Sequence, residues 1–171
     1  ERAKWEGIEL AGKTLGILGL GRIGTLFAQP ARAFDMRLVA FDPYVSPDRA
    51  RELGVDMLTL EQVVEQSDVL TIHLPKNKET NGILDAAILA RAKPSLRIVN
   101  VARGGIVNET DLAEALRNGI IAGAAIDVFV KEPTTESPLF QLDNIVVTPH
   151  LGASTREAQD RAGEVVADMV Q

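Results

Sequence analysis

Short apolar runs alternate with segments of helical periodicity along almost the whole chain. The runs are Thr14–Leu18, Arg37–Phe41, Asp68–His73, Arg97–Val101, Ala122–Val128 and Asn144–Thr148. Their near-continuous apolar character suits strands buried on both faces. After the first run, Ile23, Leu26, Phe27, Ala31 and Phe34 recur at helical spacing. Ser46-Pro47 reads as an N-cap with proline at the first helical position, leading a short helix to about Leu53. Thr59 to Gln62 has capping-box spacing and opens a helix through Val63 and Val64. Pro75 stops the third strand, and a polar loop from Lys76 to Asn81 precedes a helix near Asp85–Ala92. Asn108 caps a helix carrying Leu112, Ala115 and Leu116, which Asn118-Gly119 ends. Ser154-Thr155-Arg156-Glu157, again at capping-box spacing, starts a last helix that runs to the C-terminus. Pro30 lies well inside the first helical pattern and should kink or end it. Strands and helices alternating in this way predict an α/β fold, a doubly wound parallel sheet covered on both faces.

The turn between the first strand and the first helix is Gly19-Leu20-Gly21-Arg22-Ile23-Gly24, and the second strand ends in Asp42, eighteen residues after Gly24. Strand, glycines, helix, strand and acid in this order specify a Rossmann-type dinucleotide-binding unit. Gly19 permits a tight turn, Gly21 lets the backbone approach a pyrophosphate, and Gly24 lets the helix lie close to the strand. The N–H groups at the helix N-terminus then face the phosphates. Asp42 can accept hydrogen bonds from the adenosine ribose and would repel a 2′-phosphate. No Lys or Arg follows at Pro43-Tyr44-Val45, so NAD is favoured over NADP. An ordinary tight strand-to-helix turn is the plain alternative.

With 171 residues, 46% of them apolar, the chain suits one domain spanning 1–171. The net charge of −6 argues against nucleic acid as a partner. Cysteine is absent and the only histidines are His73 and His150, so no metal site is expected. No apolar stretch approaches the roughly 20 residues needed to cross a bilayer, and no signal peptide is visible, so a soluble cytoplasmic protein is expected. The chain starts at Glu1 without an initiator Met and reads as a piece excised from something longer.

In such sheets ligands bind beyond the carboxyl ends of the strands, and three polar clusters fall there. They are Asn100–Gly105, Asp127–Pro133 and Thr148–Thr155. Arg103 can grip a carboxylate with two parallel hydrogen bonds, or it is a surface arginine in a glycine turn. Alone, His150 reads as a structural loop histidine and Glu132 as a solvated loop acid. Together they suit a general acid–base pair, because a carboxylate beside an imidazole favours the protonated ring and fixes its tautomer. His73 shapes the adenosine pocket or simply ends its strand. Asp127 orients Arg103 or the nicotinamide carboxamide, or is a buried structural acid. Glu61 and Glu65 read as a solvated helix face.

The same clusters carry a resemblance. Glu9–Ile17, Gly19–Gly24, Asn100–Val107, Asp127–Pro133 and Thr148–Thr155, followed by Arg156–Gln159, make the chain similar over essentially its full length to the D-isomer-specific 2-hydroxyacid dehydrogenases. Within that family it most resembles the branch that oxidises 3-phospho-D-glycerate in the first step of serine biosynthesis. The resemblance implies that Arg103, Glu132 and His150 are catalytic. It implies that NAD is held by Gly19, Gly21, Arg22, Ile23, Gly24, Asp42, His73, Pro75, Thr80, Ala102, Arg103, Asp127, His150, Gly152 and Ala153. It further implies a small 2-hydroxy acid as substrate and a homo-oligomeric parent enzyme. Asp35 stands where the family usually has glycine, Asn108 where aspartate is common, and Pro30 is unusual in the first helix. The family's second, substrate-binding domain is missing, so these residues alone should bind NAD(H) but turn over slowly or not at all. Two other readings remain open: a glyoxylate or hydroxypyruvate reductase of the same family, and a non-enzymatic NAD-sensing module like the corepressors built on this fold.

Overall fold

A computed structural model describes residues 7–170. The strands are β1 (Thr14–Leu18), β2 (Arg37–Phe41), β3 (Asp56–Met57), β4 (Val69–Ile72), β5 (Arg97–Asn100), β6 (Gly123–Ile126) and β7 (Ile145–Val147). The helices are α1 (Arg22–Ala33), α2 (Pro47–Glu52), α3 (Leu60–Gln66), α4 (Ala86–Leu89), α5 (Glu109–Arg117) and α6 (Arg156–Val170). All strands are parallel, in the order β3-β2-β1-β4-β5-β6-β7. The order reverses between β1 and β4, so a crevice opens at their carboxyl ends.

Several local expectations are met with identifiable hydrogen bonds. Ser46 accepts from the Arg49 N–H, and Thr59 and Gln62 form a reciprocal capping box. Asn108 accepts from the N–H groups of Thr110 and Asp111, as the aspartate common in the family would. Asp35 sits at φ 58°, a left-handed backbone for which glycine is the easier residue and Asp one of the better substitutes.

Other expectations are corrected. Pro30 does not end α1, which runs on to Ala33. The surface that α1 turns to the sheet is Gly24, Ala28 and Ala31, because small residues let the helix sit close. Ile23, Leu26, Phe27 and Phe34 stay exposed. The two-residue strand β3 was not anticipated, since it is too short to show a pattern. The helix expected over Asp85–Ala92 is a single turn, α4, capped by Asp85. The cap of α6 is Thr155, one residue later than the Ser154 box, with its hydroxyl accepting from the Ala158 N–H. Glu65 is more than a solvated acid: it binds Arg91 Nε at 2.9 Å and ties α3 to the segment after α4.

The core lies on the two faces of the sheet. One cluster joins Leu15, Ile17, Leu38 and Ala40 to α1 and α2. The larger one joins Val39, Leu70, Ile72, Ile98 and Ile126 to α3, α4 and α5. Coverage of both faces is therefore only partial. Among the described residues no helix covers the α1 side of the sheet beyond β4, and Val146 is 64% exposed. Of the described side chains of α6, only Ala158 is even partly buried. None of the described helices is long and apolar enough to cross a membrane.

Candidate active site

Each glycine of the β1–α1 turn has a distinct geometric reason. Gly19 has φ 95°, and a Cβ there would lie 2.8 Å from the His73 carbonyl group. A Cβ on Gly24 would lie 2.1 Å from the Gly19 oxygen, so this glycine lets α1 approach the turn. A Cβ on Gly21 would meet nothing within 4 Å, so its backbone fronts open space. No side chain caps α1 and its first turn holds no acid, which suits an anion-binding helix end. Asp42 anchors the adjoining loop. Its Oδ2 accepts from the Leu20 N–H and its Oδ1 from the Tyr44 N–H, both at 2.8 Å.

Two hollows that share His73, Leu74 and Pro75 lie along the crevice. One of about 260 Å³ is lined by Gly19, Gly21, Asp42, Tyr44, Pro75, Glu79 and Thr80. The other, of about 650 Å³, is lined by Ile23, Pro75, Lys76, Ala102, Arg103, His150, Gly152 and Ala153. His73 lines both. It is half-buried, its Nε2 is 3.1 Å from Thr71 Oγ1, and its ring packs 5.5 Å from that of Phe27. Burial holds its pKa below the ordinary value, which favours a neutral ring. Thr80 is buried and closes its own loop, donating to the Pro75 carbonyl at 2.6 Å and accepting from the Asn77 N–H. Arg22 and Gly24 line neither hollow: Arg22 begins α1 and Gly24 is buried beneath it.

At the wider end, His150 and Glu132 meet. His150 Nδ1 is 2.6 Å from Glu132 Oε2, while Glu132 Oε1 accepts from the Phe129 N–H at 2.8 Å. The imidazole hydrogen bond, followed by the Phe129 N–H, holds the Glu132 carboxyl below its ordinary pKa, so it stays ionised. With Nδ1 taken by the carboxylate, Nε2 is the nitrogen left to exchange a proton in the crevice. His150 itself has φ 60°, an uncommon backbone for a residue with a side chain. Such positions concentrate at functional sites.

Asp127 maintains that backbone. It is 3% exposed, and its oxygens accept from the Thr148 hydroxyl at 2.5 Å and from the N–H groups of Leu151 and Gly152, each at 2.8 Å. Its own carbonyl takes the His150 N–H at 2.9 Å. Burial alone would raise the Asp127 pKa, but these hydrogen bonds and the His150 charge outweigh it and hold the carboxyl low. Its carboxylate is thus committed to the 148–152 loop. It does not orient Arg103, whose Nη1 donates to the Ala102 carbonyl at 2.6 Å.

Three residues without an expected role complete the arrangement. Asn100, 2% exposed, donates to the Arg103 carbonyl at 3.0 Å and accepts from the Ala102 N–H at 3.1 Å, fixing the arginine loop. Gly104 lets that loop touch the next one, since a Cβ there would lie 1.8 Å from the Phe129 oxygen. Thr148 is the hydroxyl on Asp127. All three fall within the polar clusters Asn100–Gly105 and Thr148–Thr155 that the sequence marks, but only their contacts in space give each a role.

The D-isomer specific 2-hydroxyacid dehydrogenase, NAD binding domain family matches residues 1–152. The chain is 53% identical over 171 residues to D-3-phosphoglycerate dehydrogenase of Mycobacterium tuberculosis (strain ATCC 25618 / H37Rv), covering 100% of this chain and 32% of that protein. It is 48% identical over 169 residues to the enzyme of the same name from Bacillus subtilis (strain 168), covering 99% of this chain and 32% of that one. A crystal structure of a glyoxylate reductase from Paecilomyes thermophila superposes with a TM-score of 0.87 at 34% identity, covering 95% of this chain and 49% of the other. The chain thus spans about a third of the length of the curated relatives it matches. By glycine turn, strand order and sequence, the chain belongs to the D-isomer-specific 2-hydroxyacid dehydrogenases, as their NAD-binding domain.

Proposed function

We propose that this chain is the NAD-binding domain of a D-3-phosphoglycerate dehydrogenase, in which 3-phospho-D-glycerate is oxidised to 3-phosphohydroxypyruvate. The observation that carries the reading is the 2.6 Å bond from Glu132 to His150, on the rim that also presents Arg103. Bound NAD supplies the hydride acceptor. Its adenosine ribose hydroxyls would be held by Asp42, its pyrophosphate by the turn at Gly19, Gly21 and the start of α1 at Arg22 and Ile23. Pro75, Thr80, Ala102, Gly152 and Ala153 would line its bed. His150 takes the proton of the substrate hydroxyl on Nε2, while Glu132 stabilises the imidazolium that forms and keeps the ring oriented. Arg103 holds the substrate carboxylate with two parallel hydrogen bonds, which fixes the carbon that loses hydride.

The reading extends to a cytoplasmic homo-oligomer acting on a small molecule. The exposed Leu26, Phe27 and Phe34 of α1, with Val165, Val166 and Met169 of α6, support burial of these faces in the complete gene product. Steady-state rates of that product with 3-phospho-D-glycerate, D-glycerate and, in the reverse direction, glyoxylate test the assignment. A clear preference in kcat/KM for 3-phospho-D-glycerate is expected. A preference for glyoxylate would move the chain to the reductase named by its structural neighbour. NAD(H) binding without turnover of any of the three would sink the dehydrogenase reading.

A further inference from the structure

We propose that Lys76 is a specificity residue of this site, reading a second anionic group on the substrate; the inference rests on the dehydrogenase reading above. Lys76, Arg103 and His150 all line the wider hollow of the crevice. The same three also line a smaller basin of about 200 Å³ between Gly104 and the Val128–Val130 segment, with Glu132 on its wall. Lys76 therefore faces the same two spaces as Arg103 and His150.

Its ammonium lies beside the glycine turn that follows Arg103. Gly105 has φ 85°, and a Cβ there would lie 3.0 Å from Lys76 Nζ and 3.2 Å from Asn81 Oδ1. The positive φ accounts for the glycine, and the contact places the ammonium next to the loop that bears Arg103. Among the described residues, no ion pair or side-chain hydrogen bond involves Lys76. The only carboxylate lining the basin, Glu132, is already bound to His150 and the Phe129 N–H. The rim thus presents two cations and one committed carboxylate.

Such a rim fits a substrate with two negative groups. Arg103, with a planar fork, matches a carboxylate; Lys76, a compact and mobile point charge, suits a tetrahedral oxyanion such as a phosphate ester. A monoanionic 2-hydroxy acid would leave Lys76 without a partner. Discrimination for a phosphorylated substrate would then begin within this domain.

The test uses the complete gene product and its Lys76→Met and Lys76→Arg variants, with 3-phospho-D-glycerate and D-glycerate as substrates and NADH as binding probe. Lys76 is exposed, so neither change disturbs the core. Lys76→Met should raise KM for 3-phospho-D-glycerate about tenfold, while KM for D-glycerate and Kd for NADH stay within about twofold. Lys76→Arg should recover most of the loss. An equal rise in KM for both substrates, a weakened Kd for NADH, or no change at all would each overturn the inference while leaving the dehydrogenase reading intact. A wild-type protein that oxidises neither substrate would remove both.

Discussion

Glu132 Oε2 and His150 Nδ1 stand 2.6 Å apart although the two residues come from different loops, one after β6 and the other after β7. The bond commits one ring nitrogen and leaves the other for proton exchange. Replacing His150 by Asn in the complete gene product should lower kcat by roughly 10²–10⁴-fold while the Kd for NADH stays within about twofold. Stopped-flow hydride transfer and calorimetry read the two quantities separately. An unchanged kcat would remove His150 from the proton-transfer role.

Asp127 and Glu132 both have lowered pKa values in the folded chain, so the unfolded chain binds more protons at mildly acid pH. Their contributions to stability are complete above the unfolded values of about 4 and are lost as pH falls through the lowered folded ones. Asp127→Asn also turns an amide donor towards N–H groups that now donate to a carboxylate. It should cost about 2–3 kcal/mol at pH 7, with the gap to wild type narrowing below about pH 4. Urea melts at a series of pH values measure this. A gap that is constant with pH would mean that the carboxylate charge is not what holds the 148–152 loop.

Gly104 lies where two site loops touch, and a methyl group there would overlap the Phe129 oxygen. Gly104→Ala should separate Arg103 from the Glu132–His150 pair. The expected result is a loss of at least about tenfold in kcat/KM, because small misplacements of positioning groups are costly in rate, with NADH affinity nearly kept. Full activity in the variant would show that the contact is dispensable.

Asp42 is an imperfect target for alanine, since its carboxylate also holds the N–H groups of Leu20 and Tyr44. Asp42→Asn retains an oxygen acceptor but removes the charge. It should weaken NAD about tenfold and narrow the preference over NADP, because the repulsion of a 2′-phosphate is gone. Competitive titration with the two cofactors gives the ratio. A preference that does not change would place cofactor selectivity elsewhere.

The order of strands and helices was legible because local signals agree with the fold. Continuous apolar runs mark the strands of a parallel sheet, Ser46, Thr59 and Asn108 mark helix starts, and the spaced glycines mark the dinucleotide turn. The three loops that carry Arg103, Glu132 and His150 were legible for the same reason: each follows a strand, and a parallel sheet brings all such ends to one edge.

Other features depend on contacts between distant segments, which periodicity does not encode. The helical spacing of Ile23, Leu26, Phe27, Ala31 and Phe34 marked α1 but not its inner face; the sheet accepts only Gly24, Ala28 and Ala31, whose small volume sets how near the helix can come. The left-handed backbone of His150 and the capture of its loop by Asp127 arise from residues 21 to 25 positions apart. The sequence by itself determined the kind of fold and the edge on which chemistry can occur, because those follow from local geometry and burial. Only the tertiary structure decided that Asp127 holds the 148–152 loop instead of orienting Arg103, and that His150 takes a left-handed backbone, because hydrogen-bond partners are chosen by distance in space.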